Sequence, residues 1–244
     1  MANYNRAQYI KSSIESVIKQ TSDCWELIII DDASTDGAAT IIQEYLYNDK
    51  IKLIQCTKHL GIVAARNMAI ASAASPIIGI IDSDDVLDVN AVAVMLDAHK
   101  KYPHGLIYSQ MMICDSNLKY QHVGSNKQII SVGGNLIENC ISHFITFKKS
   151  FFDKIGGYDI FFNRCSEDKD LFYRMEEITD VLFIDQILYY YRINPCSVSN
   201  FGINYHVGRI LHFIAKYRAY RRRLKNKSLK KVTMRELFIS KNKV

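Results

Sequence analysis

The 244-residue sequence has no apolar run approaching the ~20 residues that a membrane-spanning helix requires, and it opens with neither the basic stretch nor the apolar core of a secretory leader. The expected protein is therefore neither exported nor membrane-spanning. Its six cysteines, Cys24, Cys56, Cys114, Cys140, Cys165 and Cys196, stand singly. With no C-x-x-C pair and no clustered His/Cys spacing, a zinc site is not expected, and a reduced, cytosolic setting is. No internal repeat or low-complexity linker breaks the chain, which argues for one domain rather than two. A Gly-rich phosphate loop near the first strand is also missing.

What is present is ample core material: 48% of residues are apolar and 11% aromatic, enough for one α/β domain with appendages. The net charge of +6 hides an asymmetry. Residues 203–244 hold thirteen Lys/Arg against one acid, Glu236, a local charge of +12 that leaves −6 on the remainder. This predicts a mildly acidic body with a basic C-terminal helical tail, and argues against nucleic acid as a partner.

Apolar residues at Ile10, Ile14, Val17 and Ile18 follow helical spacing. ELIII then reads as a buried strand running into DDASTDG, a cluster of turn and N-cap residues. Ile41, Ile42, Tyr45 and Leu46 mark a second helix, IKLIQC a second strand, residues 62–73 a third helix and Ile77–Ile81 a third strand. A helix over 90–101 precedes LIYSQMMIC, and from Ser109 the pattern reads as irregular. Such alternation predicts an α/β, mainly parallel, doubly wound sheet, with ligands at the carboxyl ends of its strands.

Two acidic clusters fall at those ends. In IDSDDVLD, Asp82, Asp84 and Asp85 follow an apolar strand, and three carboxylates this close repel one another unless a cation is present. Magnesium or manganese takes one or two such groups and fills its other positions with water and substrate phosphates. Capping of the next helix would also accommodate the acids. Asp31 and Asp32 end the ELIII strand, and SEDKD supplies Glu167, Asp168 and Asp170. Ser34 and Asp36 read as helix caps, and Asp170 as solvent-facing beside Lys169.

Taken in order, NYNR-x-x-YI, ELIIIDDASTDG, GIVAARNMAIASA, IDSDDVLD, IGGYD and SEDKDLFYRM resemble a family 2 glycosyltransferase of the GT-A fold over most of residues 1–200. The resemblance implies a mixed, mainly parallel sheet flanked by helices, with 1–108 binding nucleotide, 109–202 binding acceptor and 203–244 as the tail. It implies that Asp32 contacts the nucleobase, that Ala2, Tyr4, Asn5 and Arg66 border the donor nucleotide, and that Ser83 and Asp84 contact the donor. Asp82, Asp84 and Asp85 would hold Mn2+ or Mg2+. Asp168 would be the general base, with Glu167 positioning it or the acceptor.

The implied reaction is inverting transfer of a hexosyl or N-acetylhexosaminyl group from a UDP-sugar to a saccharide or lipid-linked saccharide, in surface polysaccharide or glycolipid assembly. A nucleotidyltransferase or a non-catalytic nucleotide-sugar-binding module is the alternative. Two departures from the family pattern stand out. The apolar strand usual before ANYN is missing, and Asn194 occupies a position where many members carry a histidine.

The seven histidines, His59, His99, His104, His122, His143, His206 and His212, are not spaced as ligands and are expected to pack or face solvent. Gly156 and Gly157 read as a turn, and Tyr189–Tyr191 as a strand of alternating burial. Val207, Ile210, Leu211, Ile214 and Tyr217, followed by Arg221, Arg222, Arg223 and Lys225, predict an amphipathic helix suited to an anionic membrane surface. That surface would be the inner face of the plasma membrane.

Overall fold

The computed structural model describes residues 1–131, 133–194 and 203–226. Strand β2 (Leu27–Asp31) is buried along its whole length, as a strand covered on both faces must be. Successive side chains point to opposite faces. Leu27 and Ile29 accordingly pack with Ile10, Ile14 and Val17 of α1 (Ala7–Ile18) and with Ile42 of α2 (Ala38–Gln43). Ile28 and Ile30 pack on the other side with Ala65 and Ala69 of α3 (Ile62–Ala71). Two parallel neighbours complete this sheet: β3 (Ile51–Gln55) along all of β2, and β1, only Ala2–Asn3, against Ile30 and Asp31.

A second sheet contains β4 (Ile77–Gly79), β5 (Val86–Leu87), β6 (Leu106–Cys114), β7 (Tyr120–Val123), β8 (Ile145–Lys148) and β9 (Val181–Arg192). Its order is β4-β8-β6-β9-β5, with β7 also on β6. Only β6–β9 is parallel here, so the parallel alternation seen in the sequence belongs to the first sheet. Helices α4 (Ala91–Lys101), α5 (Asn135–Glu138), α6 (Lys149–Lys154), α7 (Glu167–Glu176) and α8 (Ile203–Lys225), with a 3-10 turn at Ile160–Phe162, complete the described elements.

The irregularity expected from Ser109 does not begin there. β6 continues to Cys114, with register shifts at Ser109–Met111, and Asn126 donates to the carbonyls of Ser109 and His143 across the bend. The apolar stripe read in the tail is also divided. Leu211, Ile214, Ala215 and Ala219 pack on Leu136, Phe162 and Tyr173, leaving Ile210, Phe213 and Tyr217 exposed. Three of the basic residues are drawn onto the body: Arg218 pairs with Asp159 (3.1 Å), Arg222 with Glu177 (2.8 Å) and Arg223 with Glu176 (2.6 Å). No described helix is long and apolar enough to cross a membrane.

Two histidines sit inside this packing. His99 Nε2 lies 2.9 Å from Thr146 Oγ1 and His212 Nε2 lies 2.9 Å from the Tyr173 hydroxyl. Burial pushes each down from 6.5 to about 4. The folded state thus holds them neutral while the unfolded chain protonates them near 6.5. Their contribution to stability is complete above that value and is lost as pH falls toward 4. Glu167 and Asp85, whose proton affinities are raised, act in the opposite sense, so a difference measurement isolates the histidine. His99→Gln should gain stability relative to the parent protein as pH drops from 6.5 to 4, read from urea midpoints at each pH.

Candidate active site

The site lies at the carboxyl ends of β2 and β4 and is organised by two loops. The first follows β2. Asp36 accepts from the backbone N–H of Ala7 (2.8 Å) and of Ala38 (3.1 Å), tying the starts of α1 and α2 together. Ser34 Oγ accepts from Asn3 Nδ2 and from the Asn5 N–H, and Asn5 Oδ1 accepts from the Thr35 N–H. Asn5 adopts a left-handed φ of 51°, which asparagine tolerates better than most residues. Tyr4 is thereby presented outward, stacked on His59 at 4.0 Å between ring centroids.

Asp32 holds the second loop. Its carboxylate accepts from the backbone N–H groups of Leu60 (2.7 Å) and Gly61 (2.8 Å), with His59 Nδ1 at 2.9 Å. Gly61 has φ 93°, and a Cβ there would lie 2.3 Å from Asn163 Nδ2. Asn163 donates to the Leu60 carbonyl and accepts from the Val63 N–H, so it satisfies one of the free donors at the start of α3. One turn later α3 delivers Arg66.

Arg66 is the hub of the site. Its guanidinium donates to Asp82 (2.7 Å), Glu167 (2.8 Å) and Asp168 (3.0 Å), and its side chain is only 7% exposed. Glu167 and Asp168 begin α7, where the helix dipole favours negative charge. The two acids are nevertheless driven apart. Burial, then the charge of Asp168, raises Glu167 well above the usual carboxyl range. Burial opposes ionisation of Asp168 too, but Arg66, then His143, and the Glu167 hydrogen bond outweigh it and hold Asp168 below the range. The proton affinities of the two neighbours are thus shifted in opposite directions.

The acids after β4 take three different positions. Asp82 faces Arg66 on one oxygen and His143 Nδ1, at 3.8 Å, on the other. Asp84 accepts from Arg6 Nε at 3.1 Å. Asp85 turns inward: it accepts from the Tyr189 hydroxyl (2.8 Å) and the Arg192 N–H (2.7 Å), and it is 1% exposed. Ser83 is buried between them, its carbonyl accepting from Ser13.

Among the described residues no three His, Cys, Asp or Glu side chains converge to hold a metal. Asp82 and Asp84 still suit a hard cation, since both are partly exposed (23% and 19%). Burial, and then the charge of Asp82, raises the proton affinity of Asp84 against the opposing pull of Arg6. Two carboxylates suffice when phosphate and water complete the shell. Asp85, with both oxygens engaged by the fold, anchors the cluster instead of opening onto it.

Two of the histidines expected to pack or face solvent do so beside the acids. His143 is at the site, stacked between Tyr189 and Tyr191 at 5.4 Å from each, and His59 borders Tyr4 and Asp32. Asp170 does not face solvent beside Lys169: it is buried, accepting from Arg174 Nε at 2.7 Å, while Lys169 donates to the Ile141 carbonyl. Arg174 also donates to the Ile155 and Gly157 carbonyls, clamping the turn where Gly156 and Gly157 have φ 78° and 74°. Asn194 is buried. His143 and Asn163 carry no sequence signal, because their partners lie in other segments.

The family model of glycosyl transferase family 2 matches residues 1–156. The chain belongs to that family. The GT-A-like fold is shared with solved structures, among them S. aureus TarS 1–349 in complex with UDP-GlcNAc. That structure gives a TM-score of 0.73 at 17% identity, covering 88% of this chain and 64% of that one. The mannosyltransferase PcManGT from Pyrobaculum calidifontis, in complex with GDP-Man and Mn2+, gives 0.66 at 14% identity, covering 91% and 62%. In sequence, the Escherichia coli UDP-Glc:alpha-D-GlcNAc-diphosphoundecaprenol beta-1,3-glucosyltransferase WfgD is 32% identical over 117 residues. That match spans 48% of this chain and 46% of the relative, so the chain covers under half the length of this curated glycosyltransferase.

Removing Arg66 would leave Asp82, Glu167 and Asp168 without the cation they share. Arg66→Met should destabilise the protein by about 3–5 kcal/mol, measured by chemical denaturation. Arg66→Lys should recover only part of this, because an ammonium cannot reproduce the planar fork.

Proposed function

We propose that the chain is an inverting glycosyltransferase that moves a hexosyl or N-acetylhexosaminyl group from a nucleotide-diphosphate sugar, UDP-linked, to an acceptor hydroxyl. The acceptor is a saccharide or lipid-linked saccharide of a bacterial surface polysaccharide or glycolipid. One observation carries the reading: Arg66 gathers Asp168, Glu167 and Asp82 into a single network at the strand ends. Support for a UDP donor comes from the UDP-GlcNAc bound in TarS, and for a lipid-linked acceptor from the substrate in the name of WfgD.

In this reading Tyr4 and His59 flank the nucleobase, and Asp32, with Ala2 and Asn5, shapes that pocket. Arg66, Ser83 and Asp84 border the diphosphate. Asp82 and Asp84, anchored by Asp85, would hold manganese or magnesium, which would offset the charge of the departing diphosphate. Asp168, kept ionised by Arg66, takes the proton of the acceptor hydroxyl as its oxygen attacks the anomeric carbon. The bond to the diphosphate breaks on the opposite face and its electron pair leaves with the phosphate oxygen, inverting the centre. Glu167 keeps its proton and orients Asp168 by hydrogen bonding.

A carboxylate base contributes roughly 100- to 10,000-fold. Asp168→Asn should therefore lose at least 100-fold in turnover while still binding UDP, as judged by calorimetry with manganese. Asp84→Ala should lose the manganese-dependent part of UDP binding. Retained turnover in Asp168→Asn would remove the assigned base.

A cytoplasmic location at the inner face of the plasma membrane completes the proposal. Since Arg218, Arg222 and Arg223 are paired with the body, the membrane-directed charge is assigned to residues 227–244. Their deletion should lower cosedimentation with vesicles of anionic phospholipid, and unchanged cosedimentation would discard the membrane role.

A further inference from the structure

Two arginines meet Asp84, and they hold different parts of it. Arg192 is buried, its guanidinium carbon 4.7 Å over the Tyr9 ring. Its donors reach the Asp84 carbonyl (2.6 Å), the Ser116 carbonyl (2.6 Å) and Ser12 Oγ (3.0 Å). Each of these acceptors is uncharged, so Arg192 fixes the chain at Asp84 without engaging its carboxylate. The carboxylate is held by Arg6, whose Nε lies 3.1 Å from Asp84 Oδ2 and whose side chain is 21% exposed. Among the described residues its other side-chain hydrogen bond is local, from Nη1 to the Asn5 carbonyl (3.2 Å). The backbone of Arg6 is fastened separately, since its carbonyl accepts from the Tyr9 and Ile10 N–H groups at the start of α1 (2.9 Å each). The guanidinium of Arg6 can therefore change partner while α1 and the Asp84 backbone stay in place.

We propose that Arg6 couples cation binding to nucleotide binding: its guanidinium competes with a divalent cation for Asp84 and gives up the carboxylate for phosphate oxygens when a diphosphate is present. This rests on the assignment of Asp84 to the cation and the diphosphate made above. Charge sets the coupling. A divalent cation brought to Asp84 alone places two positive centres on one carboxylate, and their repulsion is little screened at a partly buried site. A diphosphate supplies the negative charge that both centres need, and the guanidinium fork matches phosphate oxygens as well as carboxylate oxygens. Each ligand then binds best with the other in place, and by linkage each tightens the other by the same factor.

Calorimetric titration of the full chain with manganese alone, with UDP alone and with each in the presence of the other tests this without any glycosyl transfer. In the parent protein UDP should tighten manganese binding by about 10- to 100-fold. Arg6→Gln should bind manganese alone at least about fivefold more tightly, bind UDP alone more weakly, and lose at least about fivefold of the coupling. Asp84→Asn should remove the gain in manganese affinity that Arg6→Gln produces. Arg6→Lys keeps the charge without the fork, so manganese alone should bind as weakly as in the parent while UDP alone binds more weakly; this variant carries the test if Arg6→Gln does not fold. Manganese affinity unchanged in a folded Arg6→Gln, or UDP affinity unchanged in Arg6→Lys, would overturn the role of Arg6 and leave the donor site standing, provided that the parent binds UDP in a manganese-dependent way. A parent without manganese-dependent UDP binding would remove the donor-site reading and this role together.

Discussion

The ion network around Arg66 joins parts of the molecule that no strand ladder connects. Arg66 stands on α3, which packs on the first sheet through Ala65 and Ala69. Its partners come from the loop after β4 in the second sheet and from the start of α7. A buried guanidinium is costly to desolvate, and the cost is offset because the carboxyl groups of Asp82, Glu167 and Asp168 meet it with short hydrogen bonds. The same contacts hold Asp168 below the usual carboxylate range, while burial and the charge of Asp168, against the pull of Arg66, raise Glu167 above it. The packing and the electrostatics of this cluster therefore rest on one side chain.

Around that hub the supporting contacts are mostly side chain to backbone. Asp32 grips the N–H groups of Leu60 and Gly61, Asn163 caps the entry to α3, and Asp85 is pinned between Tyr189 and the Arg192 N–H. Each spends a polar group on a loop that would otherwise leave buried donors unpaired. Asp32 and Asp85, which in sequence look equivalent to Asp82 and Asp84, are thereby drawn into the scaffold. Asp82 and Asp84 keep partly exposed edges.

The C-terminal helix shows the same division of labour. Its small residues Ala215 and Ala219 let α8 approach Tyr173 and Phe162, and its arginines reach back to the acids of α7 and the neighbouring loop. A stripe that reads as continuous is thus shared between the body and the outside. The helix belongs partly to the fold and only partly to whatever surface it meets.

Local pattern was enough for the elements of the first sheet, because the 3.6-residue spacing of Ile10, Ile14 and Val17 and the unbroken ELIII run each specify burial without reference to distant residues. Sequence also placed acids at the ends of β2 and β4 and in SEDKD, and the order of these motifs pointed to the family. Which acids face the site was not legible. Asp85 and Asp170 are turned inward by Tyr189, Arg192 and Arg174, while His143 and Asn163 enter from 61 and 100 residues away from Asp82 and Val63. Residue type and spacing along the chain determined what could ionise, cap or pack. Only tertiary structure decided which charges share a buried space, because the energy of a charge depends on its desolvation and on its nearest opposite charge, and neither is a property of the chain's linear order.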